Sequence, residues 1–243
     1  MKTIVVGDIH GRTCWKQIAN QEFDKFIFVG DYLDTHENIT GEEQLVNFED
    51  ILQFKRDNKE KVILLIGNHD FHYMPFAMEH YSGFQSGYQW VFKDILEQAL
   101  KEDLLQIAHQ QGKYLFTHAG VSKTWLNSTM SIGLKENVDE HINDIFLHQP
   151  SKYFRFNGIN PYGDDITQSP IWIREKSLSK DKLDNLIQIV GHTTKSNLRQ
   201  KGRWISNHDG FKVEDENIWM IDTLGTSGEY LVITDNKITI EKL

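Results

Sequence analysis

The chain predicts an α/β fold whose chemistry sits at the carboxyl ends of its strands. Apolar runs of the kind that form strands buried on both faces recur along it. In the first half, stretches with helical spacing separate these runs. Five of them end in Asp, Asn or His beside Gly: Thr3–Val6, Phe26–Val29, Val62–Ile66, Tyr114–Thr117 and Leu186–Val190. Open α/β sheets bind ligands where loops leave the carboxyl ends of the strands, so this repetition points to one site built from several loops.

Taken in order, the first strand is followed by a short helical stretch, Thr13 to Asn20. After the second, Glu42 to Arg56 carries Leu45, Phe48, Ile51, Leu52 and Phe54 at helical spacing, and after the third Trp90 to Leu100 repeats the pattern. A βαβα opening implies a largely parallel sheet with right-handed crossovers. Tyr81, Phe84, Tyr88, Trp90 and Phe92 read as residues packing a helix onto that sheet. Residues 121–185 are less regular, with helices expected at Lys123–Asn127 and Val138–Leu147 and then a turn-rich loop, Asn157 to Asp165. Long irregular segments inside a domain are usually functional, so this one reads as an insertion covering the site. Its Tyr153, Phe154, Phe156, Tyr162 and Trp172 either line a substrate groove or pack a core. After His192 the pattern turns to strands, Arg203–Ser206, Ile218–Asp222, Tyr230–Thr234 and Lys237–Glu241, with Asp235-Asn236 as a tight hairpin turn. Glu214-Asp215-Glu216 reads as a solvated turn. With no repeat or linker, residues 1–243 read as a single domain.

Length and composition limit the function classes. A chain of 243 residues with 39% hydrophobic residues can bury a full core. A net charge of −9 disfavours a broad basic surface for nucleic acid, although bound divalent cations would still let a small phosphorylated substrate in. Cys14, the single cysteine, has no partner for an internal disulfide. No segment resembles a signal peptide or a membrane span, so a cytoplasmic protein is expected.

The strand ends carry metal-ligand chemistry. Asp8 and His10, two apart on an extended segment, can face one ion. Asp31 follows Gly30, and its two carboxylate oxygens can bridge two ions. Asn68 offers a neutral oxygen, and His118 and His192 offer imidazole nitrogens.

As a set, Asp8-x-His10, Gly30-Asp31-x-x-Asp34, Gly67-Asn68-His69-Asp70, His118-Ala119-Gly120 and Gly191-His192-Thr193 resemble the calcineurin-like metallophosphoesterase signature. Their spacing is closest to the branch holding PPP-type serine/threonine phosphatases and diadenosine tetraphosphate hydrolases. The resemblance runs over about residues 3 to 226, including Ile221-Asp222-Thr223. It implies a metal-bearing β-sandwich flanked by helices. Asp8, His10 and Asp31 would hold the first metal; Asp31 would bridge to a second completed by Asn68, His118 and His192. Mixed nitrogen and oxygen ligands suit Mn, with Fe or Zn as alternatives, better than Mg. A metal-bridging hydroxide would attack phosphorus, His69 would protonate the leaving oxygen, and Asp34 would orient that imidazole.

This sequence departs from the pattern in one place. PPP-type enzymes continue the second loop with a phosphate-clamping Arg and a Gly, whereas here Asp34 is followed by Thr35-His36-Glu37. Arg174 looks like the second phosphate-binding Arg of bacterial relatives, against the bland reading of a surface ion pair with Glu175. Arg12 can approach the site, and His36 can stand in for the clamp or be an exposed loop residue. His72, His80, His109 and His208 receive no role. The expected function is a dinuclear phosphomonoesterase acting on phosphoprotein. A dinucleoside polyphosphate hydrolase is the nearest rival, and a fold that has lost catalysis and serves as a scaffold is the reading from another class.

Overall fold

The computed structural model describes residues 1–129, 137–198, 203–205, 212–214 and 217–243. Ser206 and His208 lie outside them, as do Asp215 and Glu216. Two β-sheets face each other, with helices against the outer face of the larger.

The larger sheet starts from three parallel strands, β1 (Lys2–Val6), β2 (Lys25–Phe28) and β3 (Val62–Leu65). The two-residue β4 (Leu105–Gln106) extends it beside β3. On the other edge β11 (Glu229–Thr234) pairs antiparallel with β1, and β12 (Lys237–Lys242) pairs antiparallel with β11. The second sheet runs in the order β10 (Ile218–Met220), β7 (Ile187–Val190), β6 (Tyr114–Thr117) and β5 (Ala108–Gln111), all parallel except β5. Strands β8 (Arg203–Ile205) and β9 (Lys212–Glu214) form a separate hairpin.

Alternation along the strands explains why the runs are apolar throughout. In β1, β2 and β3 the residues Val5, Ile27, Ile63 and Leu65 point between the sheets, meeting Tyr114, Phe116, Ile189, Ile218 and Met220 of the second sheet. Their neighbours Ile4, Val6, Phe26, Phe28, Val62 and Leu64 point outward against α1 (Trp15–Ala19), α2 (Gly41–Asp57) and α4 (Gln89–Lys101). Helix α2 buries Phe48, Ile51 and Leu52 and starts at a capping box: Thr40 Oγ1 accepts from Glu43 N, and the Glu43 carboxylate accepts from Thr40 N. Asp235 and Asn236 both have positive φ, 50° and 63°, which joins β11 to β12 as the expected two-residue turn.

The two sheets are those of the expected β-sandwich, β6 and β7 pairing with each other and not with β3. Several details need correction. Trp90 does not pack a helix: it is 67% exposed at the start of α4, while Phe92, two residues on and on the opposite face, is buried. Glu214 belongs to β9 and not to a turn. Strands β4 and β5 and the helices α3 (Asn68–Phe71) and α7 (Glu175–Lys180) were not apparent in the sequence, being too short to show a period. Among its described residues, the segment 121–185 holds α5 (Lys123–Thr129), α6 (Val138–His148), two short 3-10 turns and α7.

Candidate metal centre

The register places the strand ends side by side: Val6 opposite Phe28, and Phe28 opposite Leu64. The second sheet brings its own ends to the same edge, where His118 Nδ1 lies 2.8 Å from the Val29 carbonyl across the sandwich. Glycine permits this crowding. A Cβ on Gly67 would lie 2.1 Å from Asp31 Oδ1, and one on Gly191 would lie 1.9 Å from Asp8 Oδ1. The turns are also held in the left-handed region by non-glycine residues, with φ of 47° at His10, 53° at Asp31, 58° at Asp34 and 64° at His192. Such conformations cost about 1–3 kcal/mol each and gather at functional sites. The Asp70 carboxylate ties the loops together by accepting from the backbone N–H groups of Asp31, Tyr32 and Gly67 at 2.8–2.9 Å. Burial and the nearby Asp31 push Asp70 up to about 7, against those amide donors.

All six ligand candidates, Asp8, His10, Asp31, Asn68, His118 and His192, converge. His10 Nδ1 must carry its proton, because its neighbours at 2.9 and 3.2 Å are the carbonyls of Asp34 and Leu33. Its Nε2 therefore turns a lone pair toward Asp31 Oδ2 at 3.9 Å and Asp8 Oδ2 at 4.0 Å. That is too long for a hydrogen bond and suits donors sharing an ion about 2.0–2.2 Å from each. The carbonyl of Val29 fixes the His118 proton on Nδ1 in the same way, leaving Nε2 bare at 3.0 Å from Asn68 Oδ1 and 3.3 Å from Asp31 Oδ2. His192 Nδ1 sits 2.8 Å from Asn68 Oδ1, and its buried Nε2 has no hydrogen-bond partner. Lone pairs facing one another in a buried space fit a cation between them.

The electrostatics agree. Asp8 lies well above the usual carboxylate range because it is buried and faces Asp222 and Asp31. Burial opposes ionisation of Asp31 too, but the imidazoles gathered around it, those of His118, His69 and His10, outweigh it and hold the carboxyl well below its ordinary value. Burial also lowers His10 and His192, keeping their imidazoles in the neutral form that ligates metal. A divalent ion would relieve the repulsion among the acids.

Beside this lies a second cluster, Asp34, His69 and His72. His69 Nδ1 is 3.0 Å from Asp34 Oδ2, and His72 Nε2 is 2.8 Å from the same oxygen. Here the protons face inward. Tyr81 N donates to His72 Nδ1 at 3.0 Å, which forces the ring proton onto Nε2, toward Asp34. A cluster whose nitrogens already donate to the carboxylate offers no lone pairs to a metal. Burial would raise Asp34, but hydrogen bonds from His69, His72 and Tyr73 bring it down to about 2. His69 is raised despite burial, through the charge of Asp31 and its bond to Asp34.

Both clusters border a cleft of about 160 Å³, lined among others by His10, Arg12, Asp34, His36, His69, Thr194 and Asp222. Arg174 also reaches the metal cluster: its Nη1 lies 3.4 Å from the His192 carbonyl and 3.5 Å from Thr193 Oγ1, and its guanidinium lies over Trp172 at 5.1 Å. It does not pair with Glu175, which instead bonds Lys195. Trp172 in turn packs on His192, with ring centroids 5.2 Å apart. Of the aromatic residues in the insertion, Tyr153 is core, while Phe156 and Tyr162 are 66% and 78% exposed. Arg12 stands in the cleft wall on Glu37, with Nη2 2.6 Å from Oε1, and His36 is exposed at the rim. Sequence reasoning missed His72, Tyr73, Gln85 and Thr194. Nothing short-range marks them; each matters only because the fold brings it to Asp34 or to Asp222.

The sandwich and its paired strand-end clusters define a metallophosphoesterase-type protein. The chain matches the calcineurin-like phosphoesterases over residues 1–218, and it belongs to that family. Among solved structures, it resembles the cold-active protein-tyrosine phosphatase of a psychrophilic Shewanella species, at 18% identity and a TM-score of 0.62, covering 100% of this chain and 80% of that one. It also resembles a metallophosphoesterase from Sphaerobacter thermophilus, at 12% identity and a TM-score of 0.51, covering 100% of this chain and 88% of that one. Both share the fold at identities too low to carry more. No curated protein matches the sequence.

Proposed function

We propose that this protein is a divalent-metal-dependent phosphomonoesterase acting on phosphoprotein, with His69 as general acid. The observation that carries the reading is the contrast in proton placement: bare imidazole nitrogens around Asp31, and an imidazole whose Nδ1 proton is bound by Asp34 immediately beside them.

Asp8, His10 and Asp31 would hold one ion, and Asp31, Asn68, His118 and His192 the other. When bound, such ions orient phosphoryl oxygens and lower the pKa of a water molecule to supply the nucleophile. Mn suits the donor set, with Fe or Zn as alternatives. The remaining work belongs to the chain. Asp34 fixes the His69 tautomer and favours its charged form, so that His69 Nε2 carries a proton for the leaving oxygen. Arg174, matching the second phosphate-binding Arg, would offer two N–H groups to a phosphoryl oxygen pair. The contacts of Trp172 and Arg174 with His192 support a selective role for the insertion of 121–185 toward the group attached to phosphate. The intact donor set speaks against a scaffold that has lost catalysis. We take residues 1–243 as one working domain and the cytoplasm as its compartment; separately, no described helix is long and apolar enough to cross a membrane.

One feature favours a dinucleoside polyphosphate hydrolase. A groove of about 730 Å³, lined by Thr13, Asn47, Val46 and Leu224, shares Arg12 with the metal cleft and has room for a nucleoside. A panel of p-nitrophenyl phosphate, phosphopeptides and diadenosine tetraphosphate, each with Mn²⁺, decides between the two. We expect the monoesters to turn over. A preference for the dinucleotide of about 10³-fold in kcat/KM, roughly 4 kcal/mol of transition-state binding, would overturn the proposal.

A further inference from the structure

Four donor groups face the Asp34 carboxylate, three of them hydrogen-bonded to it. Oδ2 receives His69 Nδ1 at 3.0 Å and faces His72 Nε2 at 2.8 Å. Oδ1 receives the Tyr73 hydroxyl at 2.6 Å and Gln85 Nε2 at 3.2 Å. A carboxylate has about four lone-pair positions, so this one is saturated. It can neither turn without breaking several contacts nor readily accept a further proton from His69.

The donors are themselves held. The His72 side chain is fully buried, its Nδ1 accepts from Tyr81 N, and its ring lies between Tyr73 and Phe84 with centroids 4.3 and 5.1 Å away. Tyr73 Oη accepts from Gln85 N at 2.7 Å while donating to Asp34. Residues 72–85 thus form a clip over the carboxylate, closed by backbone amides at both ends. The side chains of His72 and Tyr73 line no part of the cleft, which the clip meets only at Gly83.

We infer that His72 and Tyr73 are positioning residues for His69, acting through Asp34. By occupying the oxygens that His69 does not use, they hold the carboxylate in the one orientation that keeps the His69 proton on Nδ1 and aims Nε2 at the leaving oxygen. His72 matters more, because it shares Oδ2 with His69. Without it, Oδ2 has a free lone pair and the His69 ring can follow the carboxylate away from the cleft. This rests on the phosphomonoesterase reading above.

The test compares p-nitrophenyl phosphate, whose leaving group needs little protonation, with phenyl phosphate, whose leaving group needs it. Wild type, His72→Leu, His72→Gln and Tyr73→Phe are loaded with Mn²⁺, and metal content and melting temperature are measured alongside kcat/KM. In His72→Leu the ratio of the activated to the unactivated ester should rise about 10-fold or more, with metal content unchanged, since the general acid is displaced and the metal cluster is not. Tyr73→Phe should shift the ratio in the same direction by less, and His72→Gln, which keeps an N–H within reach of Asp34, should recover part of it. A purely structural role would lower the melting temperature and damage both esters equally. An unchanged ratio in a folded variant removes that residue from the proposal, and Tyr73→Phe, which deletes one oxygen, reads it even if His72→Leu fails to fold. If wild type hydrolyses neither ester, the phosphomonoesterase reading has failed; if it hydrolyses both and the ratios stay fixed, only the positioning role has.

Discussion

Two groups of three side chains in this protein look interchangeable on paper: Asp8, His10 and Asp31, and Asp34, His69 and His72. Each brings carboxylate and imidazole atoms within 4.8 Å of one another. They differ in where the protons are. In the first, the carbonyls of Leu33 and Asp34 take the His10 proton and turn a lone pair toward the acids. In the second, Tyr81 N occupies the outer nitrogen of His72 and turns an N–H toward the acid. The first arrangement needs a cation, and the second is complete without one. Proximity of ligand types therefore does not define a metal site; the groups behind them do.

The largest effect should come from breaking the first cluster at its shared member. Asp31→Asn should lower kcat/KM by about 10⁴-fold or more, over 5 kcal/mol of barrier, and lower metal content measured after dialysis against Mn²⁺. It should also abolish the rise in melting temperature on adding Mn²⁺, which for wild type at 100 times Kd is worth about 2.7 kcal/mol. Full metal content in this variant would remove Asp31 from the bridging role.

His69→Ala strikes the second cluster and should separate the two. We expect kcat to fall about 10³-fold on unactivated esters with metal content and the Mn²⁺-induced stabilisation retained, and less on p-nitrophenyl phosphate. Equal losses on both ester types count against the acid role.

Arg174→Ala removes a cation that belongs to neither cluster but faces the first. Phosphate and vanadate inhibition should weaken and kcat/KM should drop about 10–100-fold, in keeping with a charge-assisted hydrogen-bond pair of 1.5–3 kcal/mol. Undiminished phosphate inhibition would place the clamp elsewhere, with Arg12 next to be tested.

The smallest effect concerns acid. Asp34 titrates at about 2 in the fold against 3.8 ordinarily. A lowered carboxylate stabilises the fold above its unfolded pKa and loses that contribution as pH falls through the folded one. The metal-free protein should thus lose up to about 2 kcal/mol of stability between roughly pH 4 and pH 2 from this group, and Asp34→Asn should flatten that part of a urea-unfolding pH profile. An unchanged profile would show that the four donors do not hold an anion.

Much of this was legible in the chain. The runs ending at Val6, Val29, Ile66, Thr117 and Val190 marked the strands, because a strand buried on both faces has no polar side to blur it. Their terminal Asp, Asn and His residues marked the cluster, because loop residues at strand ends are spared the packing demands of the core. Arg174 was legible only by likeness, and Arg12 stood in view without a reason to choose it. Trp90 was misread, since helical spacing says that a face is buried but not which one. The division into two sheets was legible only through the family resemblance, since the apolar runs alone do not say which strands pair.

By itself, the sequence determined the strand ends, the ligand types and the order in which the loops deliver them, since these follow from local alternation and the chemistry of each side chain. Only the tertiary structure decided what those side chains are. The carbonyls of Val29 and Leu33, the amide of Tyr81 and the hydroxyl of Tyr73 come from segments distant in sequence or from backbone atoms common to every residue. The first three assign the imidazole protons of His118, His10 and His72, and the last holds the Asp34 carboxylate that takes the proton of His69. Such assignments separate a histidine suited to hold a metal from one suited to give a proton away.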